Sequence, residues 1–429
     1  MRICIVGLWH LGTVVAACLA DHGYLVTAID DDSPVVAALN LGIAPISEPG
    51  LADLVTSGLS NGNLQFTSDF QQASSCDIVW ITVDTPVDAN DEADLNFVRA
   101  KIEAVLPHIA TNACLMISSQ VAVGFTAEIA DLCQTKFADK QLSFVYSPEN
   151  LRLGKAINCF KNPDRVVLGS NTEEGIKRAK EVFSPFTDNF VCMSLASAEM
   201  TKHALNAFLG LSIAFINEIS TLCELVGADA GDVACGLKSE ERIGAKAYLS
   251  PGSAFAGGTL ARDVTILVNK SQSLHLNTPL LKSIRPSNEA HKQWVANRLE
   301  RRINNLQGQV IAVLGLAYKP GTDTLRRSGA VELCAWLAAR GSVVQAHDPA
   351  VSELPAALSQ IIALKDSVEK ALAGANAVVI ANECPEFRQI SAEDLVATMK
   401  ETIVFDAGGF LRSGLGNDKR IDYISVGKP

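Results

Sequence analysis

No C-x-x-C pair occurs among the 11 cysteines, which lie scattered from Cys4 to Cys384. In a reducing compartment most of these are small buried apolar residues, so neither a disulfide framework nor a zinc site is supported, and no metal is expected. No charged leader precedes a cleavable apolar core, because Met1 to Gly12 goes directly into a strand, and no later apolar run reaches membrane length. A soluble cytosolic protein is therefore expected, with no membrane partner. Positive charge is also in short supply: the formal net charge is -11 and the pI is near 5.2, which argues against nucleic acid or an acidic membrane surface as a partner. No low-complexity linker appears. What is present is 429 residues with 48% hydrophobic content, too much for one core, so two or three domains are expected.

Arg2 to Val6 reads as a short apolar strand, followed by Gly7-Leu-Trp-His-Leu-Gly12, a helix to about His22 and a second strand, Leu25 to Ile29, ending at Asp30. Strand, glycine turn, helix, strand and terminal acid is a dinucleotide-binding arrangement. The turn brings backbone amides to a pyrophosphate, and the acid bonds the ribose hydroxyls. Asp30 also repels a 2′-phosphate, favouring NAD over NADP. Trp9 replaces the middle glycine of G-x-G-x-x-G. Either the loop bends differently or cofactor binding is weakened, and a nucleotide-free α/β turn is the bland alternative. His10 packs on the adenosine side or, on a sharper reading, serves as a base.

Short apolar runs at Asp77 to Val83, Cys114 to Ser118, Leu142 to Tyr146, Arg165 to Leu168 and Phe190 to Met193 continue a buried parallel sheet. A second α/β unit begins at Gln309, with strands Val310 to Leu314, Ser342 to His347, Ala377 to Ala381 and Thr402 to Phe405, and a helix Ala330 to Arg340. Its first turn, Gly315-Leu-Ala-Tyr-Lys319-Pro, lacks the glycine spacing and is not given a second NAD. The fold class is thus α/β, two Rossmann-like doubly wound domains joined by a long central helix and a helical middle. The expected boundaries are 1–195, 196–300 and 301–429.

That helix is expected over Ser197 to Val226, with Ser197 as N-cap and Glu199 in the first turn. From Ala207 to Ile216 it is apolar on every face apart from Ser212. It should be buried all round, between domains or against another subunit. Lys202 and Asn206 stand one turn apart and share a face with Glu199, either as a functional cluster or as a surface-facing first turn.

Several stretches together resemble the UDP-glucose/GDP-mannose dehydrogenase family. They are Pro45-Ile-Ser-Glu-Pro-Gly-Leu51, Ser147-Pro-Glu149-Asn-Leu-Arg152, Asn162-Pro-Asp-Arg-Val-Val167, Ala198-Glu-Met-Thr-Lys202 with Asn206, Arg242-Ile-Gly244, Gly315 to Asp323, Arg326 and Asp348-Pro. The resemblance implies an N-terminal NAD domain, a C-terminal UDP-sugar domain, and a central helix that forms a homodimer. It implies oxidation of a sugar C6 alcohol to a carboxylate in two NAD-dependent steps through a cysteine thioester. It places Gly7, Trp9, His10, Leu11, Gly12, Asp30, Thr85, Gln120 and Arg326 on the cofactor. Leu151, Arg152, Arg242, Phe255, Gly257 and Lys319 fall on the nucleotide-sugar substrate, with Arg326 and Arg327 supporting the charge of Lys319. Glu149, Lys202, Asn206 and Asp263 match the family's acid/base and charge-stabilising groups.

Thr259 aligns with the family's nucleophilic cysteine, and no other cysteine is nearby, Cys235 being the closest in sequence. A threonine alkoxide is a far poorer nucleophile at neutral pH, so the thioester route should be closed. Gln120, Ala122, Arg262 and Leu153 also depart from the family pattern, and Asp406-Ala-Gly408-Gly409 replaces D-x-R-N. Three readings remain. The chain is a nucleotide-sugar 6-dehydrogenase using a thiol-free route; or it catalyses an altered reaction, stopping at the aldehyde or epimerising a sugar or nucleoside with transient use of NAD; or it is a non-catalytic nucleotide-sugar-binding homologue.

Overall fold

A computed structural model describes residues 1–88, 92–149, 151–255, 258–320 and 322–429. The chain divides into two compact units, 1–205 and 206–429. Among the described residues the first carries eight strands: β1 Arg2–Val6, β2 Leu25–Ile29, β3 Leu64–Thr67, β4 Ile78–Ile81, β5 Cys114–Ile117, β6 Ser143–Tyr146, β7 Val166–Gly169 and β8 Phe190–Met193. Their order is β3-β2-β1-β4-β5-β6-β7-β8. Neighbours are parallel except at β6 and β7, where Tyr146 faces Gly169 in an antiparallel join, a departure from the wholly parallel sheet expected. Side chains alternate across β1. Ile3 and Ile5 enter a core with the first helix, His10–Asp21, while Cys4 and Val6 enter a second core on the opposite face. Burial on both faces is why these strands read as unbroken apolar runs.

The second unit carries β9 Val310–Leu314, β10 Val343–His347, β11 Ile362–Leu364, β12 Ala377–Ile380, β13 Ile403–Phe405 and β14 Asp422–Ile424. They pair in parallel in the order β11-β10-β9-β12-β13-β14. Ile311 and Val313 face one core, Ala312 and Leu314 the other. In both sheets the chain order reverses beside the first strand, between β1 and β4 and between β9 and β12. Such reversals open a crevice at the carboxyl ends of the strands, where ligands of this fold class bind.

The central helix spans Leu195–Val226, so it begins earlier than expected. Ser194, not Ser197, caps it: the Ser197 amide donates to Ser194 Oγ at 3.2 Å. Glu199 therefore lies beyond the first turn, and its carboxylate serves another helix. It accepts the Gly124 and Thr126 amides at 2.6 and 2.8 Å, at the start of the helix Phe125–Lys136. The expectation that Ala207 to Ile216 is buried all round fails within one chain. Ala207, Ala214 and Ile216 are buried, but Phe208 is 64% and Phe215 46% exposed. The helix is also long and apolar enough to cross a membrane by length and composition, which corrects the reading that no run reaches that length. Its polar residues nevertheless find protein partners: Asn217 bonds to Gly252 and Ser253, and Ser220 to the Ile216 carbonyl.

Candidate active site

Within the first unit, β1 runs into a turn at Gly7, whose φ of 97° is in the left-handed region. A Cβ at Gly7 would lie 2.7 Å from Val83 Cα, and one at Gly12 would lie 1.8 Å from Gly7 O, so both positions need glycine for close approach. Trp9 takes an ordinary φ of -80° as N-cap of the first helix and keeps its indole 48% exposed. The turn thus accommodates the indole without strain by turning it outward. Asp30 accepts the Leu8 amide through Oδ2 at 2.7 Å and the Asp32 amide through Oδ1 at 3.0 Å. Gly7, Leu8, Trp9, Asp30, Asp31, Phe70, Val83, Asp84, Pro86, Phe97 and Lys101 border a cleft of about 220 Å³. A glycine cradle, a helix N-terminus and an acid at the end of β2 fit a dinucleotide.

His10 is turned away from a role as base. Its Nε2 lies 3.1 Å from Glu48 Oε2, and the buried Glu48 carboxylate also accepts the amides of Gly154 and Ala156 at 2.8 and 2.9 Å. Glu48 thereby ties the glycine turn to the start of the helix Ala156–Lys161. It stands in the Pro45 to Leu51 stretch but had no role assigned from sequence. A lone acid between prolines at the foot of a glycine turn was the available signal. Leu11 packs into the first core. Thr85 donates to the Gln120 carbonyl at 2.8 Å, joining the loops after β4 and β5.

Lys202 is buried, which excludes the surface-facing reading of its turn. Its Nζ donates to the Glu149 carbonyl at 2.6 Å and stands 3.9 Å from Glu149 Oε1, while Glu149 Oε2 accepts the Leu151 amide at 2.6 Å. An amine and a carboxylate so placed, the carboxylate about one-third exposed, can exchange a proton with a bound hydroxyl. Arg152, next to Leu151, is exposed.

Within the second unit, Asn206 donates to the fully buried Asp263 carboxylate. Thr259 is exposed in the first turn of the helix Gly258–Ser273. The preceding small-residue loop is fixed by three side chains from two helices. Asn217 accepts the Gly252 amide at 3.1 Å, Asn288 brackets Phe255 through its amide and carbonyl at 2.9 Å each, and His291 Nε2 donates to the Gly252 carbonyl at 2.8 Å. Burial pushes His291 below its ordinary range and keeps the ring neutral for that bond. The Phe255 ring packs with Ala207, Val264 and Ile284. Sequence reasoning passed over Asn217, Asn288 and His291, whose signal was polar residues interrupting apolar helix faces. Gly257 lies outside the described residues.

Arg327 holds a φ of 60°, uncommon for a residue with a Cβ, and its guanidinium lies 2.9 Å from where a Cβ on Gly258 would sit. Burial pushes the Tyr318 phenol up, and the Arg327 charge offsets part of that rise. Lys319 and Arg326 are exposed, Lys319 lying 5.4 Å from the Tyr318 ring centroid. Arg242 is 88% exposed and paired with Glu240 at 2.8 Å. At the end of β13, Asp406 accepts the Tyr423 hydroxyl and the Leu411 amide. A Cβ on Gly252 would lie 3.6 Å from Gly408 Cα, so the pinned loop abuts the turn where the family carries an arginine.

Residues 1–187 match the NAD binding domain of the UDP-glucose/GDP-mannose dehydrogenase family, 196–290 its central domain and 312–413 its UDP binding domain. The chain belongs to this family. It is an NAD-dependent dehydrogenase of the nucleotide-sugar class. It is 34% identical over 437 residues to the UDP-glucose 6-dehydrogenase of Rhizobium meliloti, covering 100% of both chains. It is 32% identical over 432 residues to the UDP-glucose 6-dehydrogenase TuaD of Bacillus subtilis, covering 100% of this chain and 93% of the relative. Among solved structures it resembles a UDP-glucose dehydrogenase from Pyrobaculum islandicum, with a TM-score of 0.88 and 28% identity over 100% of this chain and 98% of that one. A UDP-D-ManNAc dehydrogenase from Pyrococcus horikoshii gives 0.86 and 26% over 100% and 99%.

Proposed function

We propose that the protein oxidises the C6 hydroxyl of a UDP-hexose by a route that uses no cysteine thioester. The observation that carries this reading is the buried Lys202 amine, set between the carbonyl and the carboxylate of Glu149 while the family's cysteine position holds Thr259. Bound NAD supplies the hydride acceptor. Glu149 takes the hydroxyl proton, and Lys202 stabilises the developing alkoxide. Asn206 and Asp263 hold a water, and Asp263 takes its proton as the aldehyde hydrates. Thr259 hydrogen-bonds to the substrate and makes no covalent bond, because a threonine hydroxyl without an adjacent base is a poor nucleophile at neutral pH. After NADH is exchanged for a second NAD, the hydrate gives up a hydride to it, releases its protons to water, and becomes the carboxylate. Gly7, Trp9, His10, Leu11, Gly12, Asp30, Thr85, Gln120 and Arg326 serve the cofactor. Leu151, Arg152, Arg242, Phe255, Gly257 and Lys319 serve the nucleotide sugar. On this reading 1–195, 196–300 and 301–429 divide the work as cofactor, dimer and nucleotide-sugar domains.

The central helix provides the homodimer contact. Phe208, Leu211, Phe215, Leu222 and Leu225 fall at spacings of three, four and seven along it, and all but Leu211 are exposed. Phe208→Glu with Phe215→Glu should shift sedimentation to the monomer. Free thiols at Cys4, Cys18, Cys76, Cys114, Cys133, Cys223 and Cys334, all buried, fit a cytosolic location.

The deciding experiment is NADH formed per sugar, with product mass, on a panel of UDP- and GDP-hexoses. Two equivalents and a uronate are expected. One equivalent with an aldehyde would show that the reaction halts halfway. A changed sugar without NADH would show an internal redox cycle, and no change across the panel would sink the proposed oxidation.

A further inference from the structure

The acid that reads as selecting NAD is already engaged. Both Asp30 oxygens accept backbone amides, from Leu8 and from Asp32. The next residue, Asp31, is half-exposed at the same cleft and is ion-paired with Lys101, which reaches it from the helix Leu95–Val105. Lys101 lies 5.1 Å from the Phe97 ring centroid and itself borders the cleft together with Gly7, Leu8 and Trp9. A lysine at the rim of a nucleotide cleft would ordinarily attract a phosphate ester, since its ammonium is a compact charge on a flexible four-carbon stem. Here its charge is directed onto a carboxylate, and the Lys101 hydrogen bond holds that carboxyl below its usual range.

We propose that the Asp31–Lys101 ion pair sets cofactor choice: Asp31 sequesters Lys101 from the ribose 2′ position and so keeps the cleft selective for NAD against NADP. Asp30, Asp31 and Lys101 together carry one net negative charge at the ribose end of the cleft. Removing the Asp31 carboxylate brings that sum to zero and frees a lysine whose stem already lies along the rim. A 2′-phosphate would then meet a cation in place of an acid. Specificity on this view rests on repulsion by two acids and on the restraint of a nearby base, an arrangement that Asp30 alone does not provide.

The test is calorimetric titration of the full chain with NAD and with NADP, which needs no sugar and no turnover. Wild type should bind NAD more tightly. Asp31→Ala should improve the NADP-to-NAD affinity ratio by about tenfold, with the gain shrinking as salt rises. Asp31→Ala combined with Lys101→Ala should lose the gain. Lys101→Ala alone should worsen the ratio, because Asp31 is then unmasked. An unchanged ratio in Asp31→Ala, or a gain that survives in the double variant, would overturn the proposal. If Asp31→Ala fails to fold, an unchanged ratio in Lys101→Ala does the same.

Discussion

The two α/β units are built on the same turn and use it differently. In the first, the Gly7 amide donates to Ile29 O at 3.0 Å and the Leu8 amide to Asp30 Oδ2 at 2.7 Å. In the second, the Gly315 amide donates to His347 O at 2.8 Å and the Leu316 amide to Asp348 Oδ2 at 2.7 Å. Oδ1 of each acid takes the amide two residues on, at 3.0 and 2.9 Å. The difference lies in what else arrives. Asp348 Oδ2 also accepts the Ala317 amide at 2.8 Å and faces Asn382 Nδ2 at 3.4 Å, and the acid is buried. Its helix begins only at Gly329, whereas the first helix begins at His10. The same frame therefore presents a helix N-terminus and a partly open acid in one unit, and a closed structural joint in the other. A strand–turn–acid pattern alone does not make a dinucleotide site.

The sharpest way to break this contrast is Asp348→Ala. It strands two buried amides and should lower unfolding free energy by about 3 kcal/mol, read by chemical denaturation, while NAD affinity stays within about threefold. Gly7→Ala comes next, at about 2 kcal/mol together with weakened NAD binding, because its Cβ would meet Val83 backbone atoms. Gly315→Ala should cost less, since the atoms nearest the added Cβ belong to the Asn382 side chain and not to backbone, although the strain of a φ of 92° stays. Asp30→Ala should cost less stability than Asp348→Ala, about 1 kcal/mol, because the Leu8 amide is only part-buried and the Asp32 amide is exposed to water, and should weaken NAD by about tenfold, or about 1.4 kcal/mol, in a binding titration. A large stability loss there would mean that the two acids play the same part. Trp9→Gly is the mildest, with NAD affinity rising about threefold as the backbone gains room to approach the pyrophosphate.

The central strands of both sheets were legible because burial on two faces leaves continuous apolar runs. Leu64–Thr67, Ile362–Leu364 and Asp422–Ile424 were not, and each lies at a sheet edge, where Gln65, Ala363 and Asp422 can face away from the cores. The glycine turn and Asp30 were readable since their geometry follows from local chain rules. Glu48, Asn288 and the Asp31–Lys101 pair were not, because each depends on a residue tens of positions away. The cap of the central helix was misplaced for a related reason: Ser194 and Ser197 are equally good caps in isolation, and only the register chooses Ser194.

Glu199 has a consequence for synthesis. The helix Phe125–Lys136 receives its terminal acceptor from a residue made long after it, at the far side of β6, β7 and β8. A nascent chain that has completed the sheet still lacks this carboxylate, and the Gly124 and Thr126 amides must wait on water. A fragment ended at residue 194, with the sheet complete but Glu199 missing, should therefore be easier to digest than residues 1–205.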